Sequence, residues 1–193
     1  MKELKAMRYK FQEGKEYSTK ELMNRIEEFI GERPRKVAYT DGGGNAFSPY
    51  KESGAAYVIV EDGKIIKSAS KGSLHSTNNR MEMLAIVSAM LSVEDGERLV
   101  IITDSQFSIN VLMNQWNYAN DLQDIFFDSI GEREIIFCHV NSHKGLYYNE
   151  YVDKMATREM DKLRKQYNIP NYTYQNSPLY AEKRAMAAAS KIS

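Results

Sequence analysis

The sequence predicts an α/β fold, a mixed sheet with helices packed on its faces. Three observations carry that prediction. Two β-rich runs meet at an Asp-Gly pair, one later run has the unbroken apolar character of a strand buried on both faces, and helical periodicity fills the stretches around it. At 193 residues and 42% hydrophobic composition, the chain can bury one sizeable core and reads as one domain with extensions at its ends.

In chain order, Ser18-Thr19-Lys20-Glu21 has capping-box spacing, and Leu22, Ile26, Phe29 and Ile30 share one helical face before Gly31 stops the run. The charged and aromatic residues 1–17 read as an arm or a short accessory hairpin. Pro34 separates this leader from the first core strand, Lys36 to Thr40. Runs 53–60 and 64–70 flank Glu61-Asp62-Gly63, a hairpin signal, so the first three strands form an antiparallel meander. Thr77-Asn78-Asn79 sits where a helix cap belongs, with Met81, Leu84, Ala85, Ser88 and Leu91 on one face of the following helix. Leu99 to Ile102 is the strand buried on both faces, ending in Thr103-Asp104-Ser105. Helices over 106–116 and 122–130, a fifth strand over 134–140, a polar loop around Ser142-His143-Lys144-Gly145 and a long helix over 150–167 complete the order βββαβαβα. The expected division is a leader over 1–33, a main domain over 34–168 and a tail over 169–193 with a helical Ala-rich end.

Composition narrows the function classes. Lys+Arg 26 balance Asp+Glu 26, so bulk charge announces neither a nucleic-acid nor a membrane partner, and a polyanion would have to be held by a local basic face. The one cysteine, Cys138, lies in an apolar run and excludes a disulfide framework. With no signal-peptide core and no membrane-length apolar segment, the expectation is a cytoplasmic protein, monomeric by default.

The stretch AYTDGGGN, residues 38–45, places an acid at the end of a strand before three glycines, a pattern shared by tight turns and by sites where backbone approaches a ligand closely. Other acids decide between these. Thr40-Asp41 and Thr103-Asp104 close two strands alike. Glu82 lies near the start of one helix and Asp153 near the start of another. Four like charges at one point need strong pKa shifts or a cation. An all-oxygen set selects Mg²⁺ or Mn²⁺ over Zn²⁺. Two such ions about 4 Å apart would activate water for in-line attack on a phosphodiester.

Thr40-Asp41-Gly42, Thr77 through Glu82 within the block TNNRMEMLA (residues 77–85), Thr103-Asp104-Ser105-Gln106, and His143 ten positions before Asp153 resemble, in this order, the signature blocks of ribonuclease HI. The resemblance spans about residues 37 to 163. It implies the ribonuclease H-like fold, here a five-stranded mixed sheet with helices on both faces, and hydrolysis of the RNA strand of an RNA·DNA hybrid to leave a 5′-phosphate and a 3′-hydroxyl. By the same resemblance Asp41, Glu82, Asp104 and Asp153 are catalytic and bind two Mg²⁺ ions, with Mn²⁺ as substitute, and His143 helps protons and product leave. An imidazole exchanges protons near neutral pH. Asn78, Asn79 and Gln106 match contacts to the hybrid's minor groove, where the 2′-hydroxyl is displayed. Thr77 matches a contact to a DNA-strand phosphate, with a helix cap as the plain reading of Thr77 or Asn78. Arg80 reads at least as well as a solvated or salt-bridged arginine as it does as a substrate contact.

The chain departs from the family in two places. Gly43 to Glu52 replaces the usual first loop, leaving Gly44 and Asn45 as the substrate contacts assigned there. After the Thr-Asp-Ser-Gln helix, the run from Trp116 to Asp124 carries acids and no lysine where many bacterial members carry a basic, Trp-rich protrusion. Phosphate contacts dominate affinity, so charge must come from elsewhere. The candidates are the leader (Lys2, Lys5, Arg8, Lys10 and Lys15 among Tyr9, Phe11 and Tyr17, with Glu3, Glu13 and Glu16 interleaved) and the tail (Lys183, Arg184 and Lys191). Two rival readings share the fold: a resolvase- or transposase-type nuclease, and a catalytically silent nucleic-acid-binding module, which loss of one carboxylate would have favoured.

Overall fold

Strand pairing in the computed structural model, which describes residues 4–8, 18–116 and 120–189, follows the expected meander and then departs from it at one edge. Strands β2 (Lys36–Gly44), β3 (Ser53–Glu61) and β4 (Lys64–Ser73) pair antiparallel, and β5 (Arg98–Thr103) and β6 (Glu134–His139) add in parallel beside β2. A further strand, β1 (Lys5–Arg8), lies parallel on the outer side of β6, so the sheet has six strands in the order β1-β6-β5-β2-β3-β4 instead of the expected five. Four residues with two charges carry no readable alternation, which is why the leader read as an arm or hairpin. Residues 1–3 and 9–17 of that leader lie outside the described residues.

The hairpin between β3 and β4 turns on Asp62 and Gly63, both at positive φ (48° and 73°), the backbone that an Asp-Gly pair accommodates. Helices α2 (Asn78–Leu91), α3 (Gln106–Leu112) and α4 (Asp121–Ser129) cover one face of the sheet, packing on Ala38, Ile59, Leu99, Ile101 and Phe137. Helices α1 (Thr19–Ile30) and α5 (Tyr147–Tyr167) cover the other, over Tyr39, Val58, Val100, Ile102 and Cys138. Alternate residues of β5 therefore enter opposite cores, which is why its sequence is apolar without interruption. Ser18 caps α1 through the Glu21 amide at 3.4 Å, and Gly31 ends it at φ 82°.

Two local expectations change. Helix α2 is enclosed by the sheet on one side and α3 and α4 on the other, so it buries Met83, Ile86, Val87 and Met90 as well as Met81 and Ala85, while Leu91 is 47% exposed. A helix covered nearly all round has no single apolar stripe to read. Strand β2 does not stop at Thr40. It runs on through Asp41 and the three glycines, with Asp41 paired to Ala56 and Gly44 to Ser53. The glycines are thus strand residues and not a loop. A Cβ at Gly42 would lie 2.8 Å from the Glu82 Cα and closer still to the Glu82 backbone nitrogen, because the first turn of α2 rests directly on the strand. Gly54 on β3 meets the Ala156 backbone of α5 in the same way.

The tail forms a 3-10 turn (Pro178–Tyr180) and helix α6 (Ala181–Ala189). No helix among the described residues is long and apolar enough to cross a membrane.

Candidate active site

Parallel pairing of β2 and β5 sets Tyr39 opposite Ile102, so Asp41 and Asp104, each two residues further on, emerge side by side at the same end of the sheet. Glu82 comes down onto them from α2, held by the close approach at Gly42, and Asp153 arrives from α5 on the opposite face. Carboxylate oxygens of Asp41, Glu82 and Asp104 lie within 4.8 Å of one another. Asp153 is near enough to Asp41 to share a hydrogen bond with it. The structure thus brings all four sequence-assigned acids to one place.

Asp153 also belongs to a second group, with ligand atoms of His143 and Glu150 within 4.8 Å of each other and of its own. Glu150 was not singled out in the sequence, although it stands three residues before Asp153 in the first turns of α5, a spacing that puts both on one face.

The electrostatics of the cluster are unfavourable without a cation. Burial, then the charges of Asp104 and Asp153, push the Asp41 carboxyl up to about 8. Burial, then Asp41 and Asp104, push Glu82 well above the usual carboxylate range. Glu82 is only 5% exposed, and its Oε2 has no hydrogen-bond partner. A buried carboxylate oxygen left open among oxygen donors fits a hard divalent cation. In the metal-free protein the raised Asp41 carboxyl stabilises the fold at low pH, a contribution lost as pH rises towards and through about 8. Glu82, raised by the same causes, acts in the same direction. Thermal melts of chelated protein should show Tm falling between pH 5 and 8, with added divalent cation raising Tm most at the upper end.

The acids line a cleft of about 560 Å³. Gly44, Asn78, Asn79, Gln106 and His143 line it too, whereas Asn45 and Thr77 do not. Thr77 caps α2 by accepting from the Arg80 amide at 3.2 Å. The Asn45 side chain is turned into its own loop, donating to Glu52 Oε1 at 3.0 Å and to the Tyr172 carbonyl at 3.1 Å. Gln106 donates to Asn110 Oδ1 at 2.8 Å, which fixes its amide at the rim. His143 is exposed on a turn at φ 53°, followed by Gly145 at φ 80°. Asn149, buried with its Oδ1 unpartnered, lines the cleft without any signal in the sequence.

Several of the basic residues singled out in the sequence are engaged. Arg80 makes a two-pronged pair with Asp121 at the start of α4, in agreement with the salt-bridged reading. Lys5 faces Glu134 at 3.8 Å, and Arg184 donates to the carbonyls of Tyr174 and Ser177. Lys183 lies over the Tyr180 ring. Trp116, 48% exposed, meets Phe107 edge to face, and residues 117–119 beyond it lie outside the described residues. Lys2, Lys10, Lys15, Lys191 and the leader aromatics Tyr9, Phe11 and Tyr17 likewise lie outside the description.

A mixed sheet with acids converging from two adjacent parallel strands and from helices on both faces defines a class of α/β proteins whose carboxylates can gather divalent cations at one end of the sheet. The RNase H family model matches residues 33–161, about two thirds of the chain. Similar proteins include the Ribonuclease H of Rippkaea orientalis (28% identical, covering 74% of this chain and 93% of that protein), that of Neorickettsia sennetsu (32%, covering 64% and 91%) and that of Hydrogenovibrio crunogenus (27%, covering 65% and 94%). The chain belongs to the ribonuclease H family.

Proposed function

We propose that this chain hydrolyses the RNA strand of RNA·DNA hybrids in the cleft above β2 and β5, by two-metal-ion catalysis that leaves a 5′-phosphate and a 3′-hydroxyl. The observation that carries the reading is the convergence of Asp41, Glu82 and Asp104 within 4.8 Å around a buried, unpartnered carboxylate oxygen, with Asp153 beside them. These four acids would hold two Mg²⁺ ions, or Mn²⁺ in their place. Such ions supply a nucleophilic water at neutral pH and neutralise charge on the leaving oxygen.

The remaining work falls to the chain itself. Asn78 and Asn79 at the start of α2, with Gln106 at the start of α3, offer donors and acceptors to a minor groove crossing the cleft, where the 2′-hydroxyl distinguishes RNA from DNA. Gly44, without a side chain, lets the β2 backbone approach a sugar-phosphate strand. Thr77 caps its helix at the same edge and offers a hydroxyl to a phosphate. His143, on an exposed turn beside Glu150 and Asp153, is placed to carry a proton between the reaction and solvent and to help product leave.

The test is cleavage of an end-labelled RNA·DNA hybrid with and without Mg²⁺ or Mn²⁺, beside RNA duplex, DNA duplex and single-stranded RNA. The expected result is metal-dependent cutting of the hybrid's RNA strand alone, with 5′-phosphate ends on the downstream products. Binding without cutting would overturn the catalytic reading in favour of a silent module. Cutting of DNA would move the protein to the resolvase side of the fold.

A further inference from the structure

The C-terminal tail lies beyond the residues matched by the family model, yet it is bonded to the loop that borders the cleft. That loop, residues 45–52, closes on itself through the Asn45 amide and the Glu52 carbonyl at 3.0 Å. Its last residue is a fully buried carboxylate. Burial alone would raise the Glu52 carboxyl, but hydrogen bonds from Ser48, its own backbone, Arg164 and Asn45 outweigh it and hold the group below the usual range. Arg164 reaches Glu52 from the last turn of α5 at 3.0 Å. The tail supplies the outer half of this assembly. The Tyr172 carbonyl accepts from Asn45, and the Ser177 hydroxyl donates to the Phe47 carbonyl. The Phe47 ring sits against Tyr174 and Tyr180, with centroids 6.4 and 5.5 Å away. Arg184 ties α6 back to the Tyr174 and Ser177 carbonyls, so the tail is itself a braced unit.

The inner side of the loop leads to the cleft. Gly44 precedes it directly. The amides of His75 and Ser76 donate to the Tyr50 and Lys51 carbonyls at 2.8 and 3.3 Å, immediately before Thr77 and Asn78 open α2. A continuous run of bonds and ring contacts therefore links the tail to Gly44, the last residue of β2, and Asn78, the first of α2, on one cleft wall, whereas Asp41 and Glu82 lie further inside those elements.

We propose that the tail is a positioning element for substrate binding, with Tyr180 and Ser177 as positioning residues that hold the 45–52 loop and, through it, Gly44 and Asn78 in binding geometry. The idea rests on the hybrid-cleaving function argued above. Order imposed on a binding wall before substrate arrives lowers the entropic cost of association and does not act on the chemical step. The effect belongs in KM, with kcat and metal dependence unchanged.

Tyr180→Ala in the full chain removes one ring from the Phe47 contact at a partly exposed position, and Tyr180→Phe keeps the ring. For Tyr180→Ala, KM for a hybrid should rise about fivefold with kcat within about twofold of wild type, the scale of one lost aromatic contact. Tyr180→Phe should restore KM. Hydrogen exchange of the metal-free protein should speed up at the amides of 45–52 and 75–78, and not in β5. Unchanged KM, or an equal fall in kcat with no change in KM, would overturn the proposal, as would exchange that stays slow at 75–78. The exchange result is read without activity. A wild-type protein that fails to cut hybrids would strike the functional reading, while the link between tail and wall would still be decided by exchange. Ser177→Ala, which deletes the bond to the Phe47 carbonyl and the cap on the Leu179 amide, repeats both readouts by an independent change.

Discussion

Asp104→Asn is expected to lower hybrid cleavage by on the order of 10³-fold while raising the melting temperature of the metal-free protein. The loss follows from removing one charge of the set that would hold the ions, whose contribution to the transition state is several kcal/mol. The gain follows from the same charge. Asp104 contributes to the upward push on both Asp41 and Glu82, so an amide in its place relieves repulsion in a site that is otherwise strained. A change in a core contact would move both quantities down together. Cleavage rates in saturating Mg²⁺ and thermal melts in chelator, on the same preparation, separate the two cases. A folded Asp104→Asn protein with full activity would remove the two-metal reading.

Gly42→Ala is expected to be severely damaging to both stability and activity for the addition of a single methyl. The added carbon has no room, since the α2 backbone at Met81 and Glu82 occupies its place, and backbone cannot rotate away as a side chain would. Overpacking of this kind costs about 3 kcal/mol. Forcing α2 off the strand also carries Glu82 away from Asp41, and a shift of about 1 Å in such a group lowers rate by about 10²-fold. The control is one residue away. A Cβ at Gly43 meets only the flexible end of Met160 at 3.4 Å, so Gly43→Ala should melt within a few degrees of wild type. Equal melting temperatures for the two variants would show that the glycines serve a loop or ligand, and not the seating of α2.

That contrast also shows where the sequence was readable. Local patterns survived intact: the Asp62-Gly63 turn, the caps at Ser18 and Thr77, and the unbroken apolar run from Leu99 to Ile102 each depend on neighbours in the chain. The two Thr-Asp strand ends were legible as a pair because parallel neighbours present equivalent residues at the same edge. What escaped depends on contacts between distant segments. Gly42 looks like a turn residue until α2 is laid on it. Glu52 looks like a solvated acid until Arg164, more than a hundred residues later, encloses it. Asn45 stands in the first loop, where the resemblance places a substrate contact, and its amide donates to Glu52 and Tyr172. Glu150 is legible by its helical spacing to Asp153, although no motif marks it.

The two margins of the sheet are protected by different means. β4 carries Lys64, Lys67 and Lys71, and its pairing with β3 is broken by an irregularity between Ile59 and Val60. Charge and irregular register both discourage a second chain from adding to an open strand. β6 has no such guard, for Ile135, Ile136, Phe137 and Cys138 form a straight, uncharged row. The strand Lys5–Arg8 lies along that row and satisfies its outward amides and carbonyls. Four residues outside the matched family region thereby occupy the place where another copy of the chain could dock strand to strand. Removing that short, charged strand would leave the uncharged edge of β6 open, the kind of edge to which a further strand adds.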